Sequence, residues 1–478
     1  MLPKNAVPFL LFATFISVSY ASVRINFVRC GAGGFTCSTY PKTNTLAIYY
    51  NCVGDDVTLY INQFNSPANI ETLLIQNCVN LTISFRCTGE NKNIQVLTVR
   101  NVKRLKIEPQ QYTSHVPTSV IFENIAFIEE IPKDTFAQIQ RTTHSYGCIF
   151  PKKDFYALSF RNVTIDTVGS RAFHMPQNFG NFTFTDVKIN RLQTSALLAK
   201  QEKLSQFIIE DSKIDVVEHL AFQVTSKNVE IKNNRFVDIA GSAFNGTAEK
   251  FTFYNNYVNT FHPYAISILV TNVYIWKNTF EYLKSGALQK ISPGLLEDSG
   301  RNFGSLRFIY QFKNNTIHSM DAGSLNPDVE AYKNVATKMM LEGNIIKCEC
   351  INIGWIFSGS GHGSNTPMLE NFYLTLLDPN SNNKCSAACN LPLSASSEMI
   401  SNGKCSEDIT VSLLCGSKDK LQLTNNNPTT TTTIVQSGTS PSKQTLKRPV
   451  VFFLNSKSTM FTKNLDLLFC VCFIYYFL

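Results

Sequence analysis

Fourteen cysteines are the residues most able to do chemistry in this 478-residue chain, and their spacing selects which chemistry. Cys470 and Cys472 lie in an apolar C-terminal run. Of the rest, Cys30, Cys37, Cys52, Cys78, Cys87 and Cys148 precede a cysteine-free stretch of 199 residues, and Cys348, Cys350, Cys385, Cys389, Cys405 and Cys415 follow it. An even number at each end predicts two disulfide-closed caps around a thiol-free middle. The sharper alternative, zinc at Cys348-Glu349-Cys350 with Cys385 and Cys389, lacks a neighbouring histidine cluster.

Acid/base and nucleophilic chemistry find little to work with. His115, His144, His174, His219, His262 and His318 are scattered without ligand spacing. The glycine run Gly31-Ala32-Gly33-Gly34 lies between two cysteines and not between a strand and a helix, which excludes a nucleotide cradle. Neither a serine-hydrolase elbow nor a His-Glu-x-x-His helix is present. The charge of +8, from 43 basic and 35 acidic residues, is not the clustered field of a nucleic-acid binder. No catalytic residue, metal ligand or cofactor is assigned, and nucleic acid is excluded as a partner.

The elements that must position any site begin with the two ends. Lys4, the apolar run Val7 to Ile16 and Ser19-Tyr20-Ala21 read as a secretory signal peptide cut after Ala21. At the other end Asn455-Ser456-Lys457, a polar spacer Ser458 to Asp466 and the apolar tail Leu467 to Leu478 have the order of a GPI signal. Asn455 is the first choice of attachment residue and Ser456 the second. The rival is a short transmembrane anchor with Cys470 and Cys472 as acylation sites.

Between the caps the chain repeats. Sixteen-residue windows from Leu158, Phe182, Phe207, Val229, Phe251 and Val273 superimpose without gaps at intervals of 24, 25, 22, 22 and 22 residues. A seventh copy starts at Tyr310, and looser ones near Leu73, Leu97 and Val120. Positions one and three are apolar, as in Phe182/Phe184 and Phe251/Phe253, which predicts a strand with one buried face. Position five is Asn162, Asp186, Asp211, Asn233 and Asn255, with Lys277 as the exception, where the strand should stop and turn. Apolar residues return at positions eight and eleven. Position fifteen is alanine in six copies (Ala172, Ala196, Ala221, Ala243, Ala265, Ala287), a place with room for a methyl group only. Alternation resumes in Phe173/Met175, Phe222/Val224 and Ile266/Ile268, predicting a further strand per unit.

No unit can bury its own apolar side, so the copies must stack into one elongated domain. The expected fold is all-β, a single parallel β-solenoid with disulfide-rich caps. The Ile-x-Asn-Asn-x-Phe centre of the run from Val229 to Phe244 resembles right-handed parallel β-helix proteins of the pectin-lyase type, and a right-handed β-helix is the favoured winding. A leucine-rich-repeat horseshoe is the alternative, because Ile131-Pro132-Lys133-Asp134-Thr135-Phe136 resembles extracellular leucine-rich repeats, and Cys348-x-Cys350, Trp355, Cys389-Asn390-Leu391-Pro392 and Cys405 are similar to their C-terminal flank. The chain therefore divides into signal peptide 1–21, N-terminal cap 22–70, solenoid 71–346, C-terminal cap 347–416, a Ser/Thr/Pro-rich stalk 417–455 with five consecutive threonines, and the anchor signal 456–478.

The β-helix resemblance implies a test for polysaccharide cleavage by clustered carboxylates. Ser360-Gly361-His362-Gly363-Ser364 resembles the Gly-His-Gly segment of polygalacturonases, but the paired-aspartate and Asn-Thr-Asp segments of that family are missing from the preceding units, and Asp55-Asp56 precedes the repeats. Asp186 and Asp211 sit on the turn position and read as turn formers. Glycosylation sequons occur at Asn80, Asn162, Asn181, Asn245 and Asn314. Two of them, Asn162 and Asn314, occupy position five, and a glycan there requires that position to face solvent. Tyr254, Tyr274, Trp276 and Tyr282 fall on outward positions and form the one named contact patch. The expectation is a non-enzymatic, GPI-anchored cell-surface glycoprotein that binds an extracellular protein or glycan through a solenoid face and reaches the membrane through its lipid. A secreted carbohydrate-active enzyme and a structural matrix component are the alternatives.

Overall fold

A computed structural model describes residues 23–25, 35–40, 45–53, 55–60, 70–84, 94–109, 118–136, 156–174, 179–294, 308–332, 336–348, 353–356, 367–386 and 392–394. The signal peptide, Cys30, Cys87, Cys148, Cys350, Cys389, Cys405, Cys415, His362, the threonine stalk and the anchor residues Asn455 and Ser456 lie outside the described residues.

The chain is a parallel β-solenoid. Parallel pairing runs from Thr45–Asn51 through every later rung to Lys384–Cys385. The pairing register is the one the repeat predicts: Leu158 opposes Phe182, Phe182 opposes Phe207, Phe207 opposes Val229, Val229 opposes Phe251, Phe251 opposes Val273, and Val273 opposes Tyr310. The looser copies at Leu73, Leu97 and Val120 are in the same column. An antiparallel hairpin, Phe35–Tyr40 against Thr45–Asn51, opens the stack.

A typical rung has three sides, shown here for residues 222–243. Side A (222–226) and side B (229–232) share the strand Phe222–Lys232, but buried and exposed residues stop alternating at Lys227 and Asn228, so the strand bends there. Side C is Arg235–Ile239. Two tight corners join the sides, and the backbone dihedrals identify them. Every positive-φ residue other than glycine among the described residues falls in one of two columns. The first is position five (Asn77, Asn101, Asn124, Asn162, Asp186, Asp211, Asn233, Asn255, Lys277, Asn314 and Asn382); the second is position fourteen (Asp134, Arg171, Ser195, Leu220, Ser242 and Tyr264).

Left-handed backbone costs about 1–3 kcal/mol at a residue with a Cβ, least for Asn and Asp. At Leu220 and Tyr264 it is held by bonds between rungs, with Ser195 N–H donating to the Leu220 carbonyl and Tyr264 N–H to that of Gly286. The alanine column follows directly after this second corner and is fully buried.

The expected strand stop at position five is met at Asp211, Asn233 and Asn255, where strands end at Glu210, Lys232 and Tyr254, but not in the earlier copies. In Ile70–Ser84, Val96–Ile107, Ser119–Ile131, Tyr156–Val168 and Phe179–Leu192 the strand continues straight through the corner. Its side chains also point outward and bond to one another across rungs, not to local backbone: Asn77 Nδ2 donates to Asn51 Oδ1, Asn101 to Asn77, Asn124 to Asn101, Asn162 to Asn124, Asn233 to Asp211 and Asn255 to Asn233.

The buried polar column is one residue later. Position six reads Cys52, Cys78, Val102, Ile125, Val163 and Val187, then Ser212, Asn234, Asn256, Asn278, Asn315, Asn344 and Asn383. From Asn234 to Asn344 each asparagine has its N–H and its Nδ2 bonded to the Oδ1 of the next, as in Asn234 to Asn256 and Asn256 to Asn278 at 2.9–3.1 Å. A second Nδ2 hydrogen reaches back to a carbonyl of the rung before, Asn256 to Ile231 at 2.9 Å. The strand divides at this corner wherever Ser or Asn stands at position six. It stays whole at Cys78, Val102, Ile125, Val163 and Val187. The column starts where Val187 N–H donates to Ser212 Oγ and ends where Asn383 Nδ2 donates to Leu376 O in the helix Pro367–Leu377.

Rings fill the space between the sides. Phe122 stacks on Phe160 at 4.9 Å, Phe182 on Phe207 at 5.6 Å and Phe222 on Phe244 at 5.1 Å. Cys52–Cys78 and Cys348–Cys385 are disulfides, each joining neighbouring rungs at opposite ends, and Cys37 is disulfide-bonded too. That chemistry removes the two thiolates a zinc site at Cys348 and Cys385 would need.

Asn256→Ala should cost about 3–5 kcal/mol in urea unfolding, since it strands two donors of Asn234 in the core, whereas Asn255→Ala in the exposed ladder should cost about 1 kcal/mol. Burial drives the phenols of Tyr310 and Tyr332 far above their usual range and pushes Tyr373 up to about 12. Their folded pKa values exceed the unfolded value near 10, so their contribution is intact below pH 10 and lost above it. A titration at 295 nm should show these tyrosines ionising together with loss of near-UV circular dichroism.

Candidate functional site

Side B gives each rung two outward positions, two and four, and in-register pairing stacks them into columns. Position four reads Gln76, Arg100, Glu123, Arg161, Thr185, Glu210, Lys232, Tyr254, Trp276, Lys313 and Glu342. Up to Lys232 the column satisfies itself. Arg100 Nε donates to Gln76 Oε1 at 2.8 Å, Arg161 pairs with Glu123 at 3.5 Å, Thr185 Oγ1 donates to Glu210 Oε1 at 3.0 Å, and Lys232 Nζ reaches Glu210 Oε2 at 2.8 Å. The Lys232 bond holds the Glu210 carboxyl below its ordinary range and raises the Lys232 ammonium above its own. Beyond the aromatics the pattern resumes with Lys313 and Glu342 at 3.0 Å.

The interruption is Tyr254 and Trp276, which oppose each other across adjacent rungs. Tyr274, at position two of the Trp276 rung, meets the indole edge to face at 5.1 Å. Lys277 Nζ lies 5.5 Å from the Tyr254 ring centre and donates to its hydroxyl at 3.3 Å, and Lys250 Nζ lies 5.6 Å from the Tyr274 ring. Two covered polar atoms here have no hydrogen-bond partner, Trp276 Nε1 and Thr252 Oγ1. All three rings are half-buried.

Of the four aromatics expected to form one patch, three share side B. Tyr282 belongs to side C, past the Lys277–Asn278 corner, where its hydroxyl donates to Asp321 at 2.5 Å and Lys284 sits 3.9 Å from its ring. The four are all outward, but a corner divides them, because outwardness is common to every side of a solenoid.

Asn162 and Asn314 are exposed at the position-five corner, so the solvent access their sequons require exists. Asn80, Asn181 and Asn245 are half-buried in strands. None of the five stands at an outward position of side B.

The sequence reading missed the histidine–carboxylate pairs. His262 Nε2 lies 2.8 Å from Asp238 Oδ1, and His318 Nε2 3.9 Å from Glu281 Oε1. Only the rung repeat joins partners so far apart in the chain. Burial and the Arg171 charge lower the His174 imidazole, against an opposing pull from Asp134. Asp186 and Asp211 sit at the left-handed corner with φ 53° and 52°. Among the described residues, no three His, Cys, Asp or Glu side chains could together hold a metal ion.

Compared with known proteins, the chain matches no protein-family model, no curated protein and no solved structure.

Because Trp276 is outward and only half-buried, Trp276→Ala should cost about 1 kcal/mol or less in urea unfolding, the scale of one cross-strand pair. A loss above about 3 kcal/mol would make the indole a core residue and remove it from the contact face.

Proposed function

We propose that this chain is a non-enzymatic, GPI-anchored glycoprotein of the cell surface that binds an extracellular protein or glycan through side B of its solenoid. The observation that carries this reading is the break in the self-satisfied polar column at Tyr254 and Trp276. A column serving stability alone would continue its ion pairs, whereas half-buried tyrosine and tryptophan ringed by cations have the make-up of a contact hot spot. The disulfides at both ends of the stack fit an oxidising compartment. The threonine-rich stretch would hold the solenoid off the membrane, with the lipid joined at Asn455 or Ser456.

Within the solenoid class, a β-helix of the pectin-lyase type is supported over a leucine-rich-repeat horseshoe by strands on all three sides of the rung. From residue 179 to 294 the turns contain strands, corners and no helix.

Treating cells that express the full chain with phosphatidylinositol-specific phospholipase C should release it into the medium. Retention, with a control anchor cleaved, removes the GPI assignment. N-glycosidase F should raise its gel mobility, and Asn162→Gln and Asn314→Gln should each remove one step of that shift.

A further inference from the structure

The patch on side B has a charge as well as a shape. Along position four the cations on either side are neutralised within the column, Lys232 by Glu210 at 2.8 Å and Lys313 by Glu342 at 3.0 Å. The two that touch the aromatics are not. Lys250 and Lys277 are exposed, and neither has a carboxylate within ion-pair distance among the described residues. Glu249 is next to Lys250 in the chain and exposed, and Glu230 lies two rungs from Tyr274 on the same side. The patch thus sets two cations without an ion-pair partner over an apolar floor, with Glu249 beside one of them.

We propose that side B at Tyr254, Tyr274 and Trp276 docks an acidic segment of a partner protein, with its carboxylates on Lys250 and Lys277 and its apolar side chains on the ring edges. This rests on the surface-binding reading above and narrows it from protein or glycan to protein. The ring geometry makes the choice. A sugar stacks on an open aromatic face, but the Lys250 ammonium lies over the Tyr274 ring, Trp276 meets Tyr274 edge to face, and the Lys277 ammonium is held at the hydroxyl end of Tyr254. What the patch offers is ring edges and ammonium groups. Those suit carboxylates flanked by apolar side chains, as in an interface core with a charged rim.

The test uses the full-length protein, purified in detergent from expressing cells, and a fluorescent random copolymer of glutamate and tyrosine as probe, with heparin as the acidic-glycan comparator. The copolymer should bind in a salt-sensitive manner. Trp276→Ala should weaken it about tenfold, and Lys250→Glu with Lys277→Glu at least about tenfold, while Lys188→Ala, exposed on side C, leaves it unchanged. Near-UV circular dichroism checks folding; if Trp276→Ala misfolds, the exposed lysine pair carries the test alone. The proposal is overturned if the copolymer does not bind, if the lysine variants bind like the parent, or if heparin displaces the copolymer with the same dependence on Lys250, Lys277 and Trp276. Surface release by phospholipase reports separately: a released protein that ignores the copolymer sinks this inference and leaves the anchored-glycoprotein reading standing, and a retained one that binds it does the reverse.

Discussion

In-register parallel stacking places each side chain directly on its counterpart one rung away, about 4.8 Å along the axis. Every column must therefore be a side chain that tolerates its own copy as a neighbour. Phenylalanine satisfies this by stacking, alanine by being small, and asparagine by donating to the next amide while accepting from the last. A carboxylate over a carboxylate or a lysine over a lysine repels, and the register holds such neighbours where both face water, as on side C with Lys188 over Lys213 and Lys213 over Arg235. The outward column of side B accordingly sets Arg161 on Glu123, Lys232 on Glu210 and Lys313 on Glu342.

The same rule explains why one fold carries two kinds of interior corner. Where position six is valine or isoleucine, backbone pairing passes through the corner and the strand stays whole, as in Tyr156–Val168. From Ser212 onward the side chain takes the backbone N–H, and the buried amides make a continuous hydrogen-bonded rod to Asn383. A buried amide left with open donors is costly, so such a rod needs a satisfied end. The helix Pro367–Leu377 supplies it through the Leu376 carbonyl, and Ser381 Oγ shares the load. Structure expected to cap the solenoid thus terminates a hydrogen-bond column as well as covering apolar surface.

Against that background, Tyr254 and Trp276 stand out as the two members of their column that make no polar bond along it to a rung neighbour on position four. They satisfy the stacking rule through their rings, and they leave Lys250 and Lys277 facing solvent without an ion-pair partner among the described residues. A functional face on a solenoid is read as a local departure from column logic, since neither a cleft nor a catalytic cluster is needed to mark it.

The amino-acid sequence by itself determined the stacking unit. The 22- to 25-residue period, the apolar positions, the alanine column and the register from Leu73 to Tyr310 were all legible, because each is a constraint between a residue and its own copy that recurs along the chain. It also placed the aromatics outward and the cysteines at the ends. It did not reveal which of two neighbouring asparagines is buried: φ near +55° turns position five outward and leaves position six inside. Nor did it reveal the second left-handed corner, whose residues are as different as Arg171, Leu220 and Tyr264, because that conformation is imposed by bonds from adjacent rungs and not by residue type. The grouping of Tyr254, Tyr274 and Trp276 apart from Tyr282, and the histidine–carboxylate pairs, depend on where the rung bends. Only the three-dimensional stack decides that.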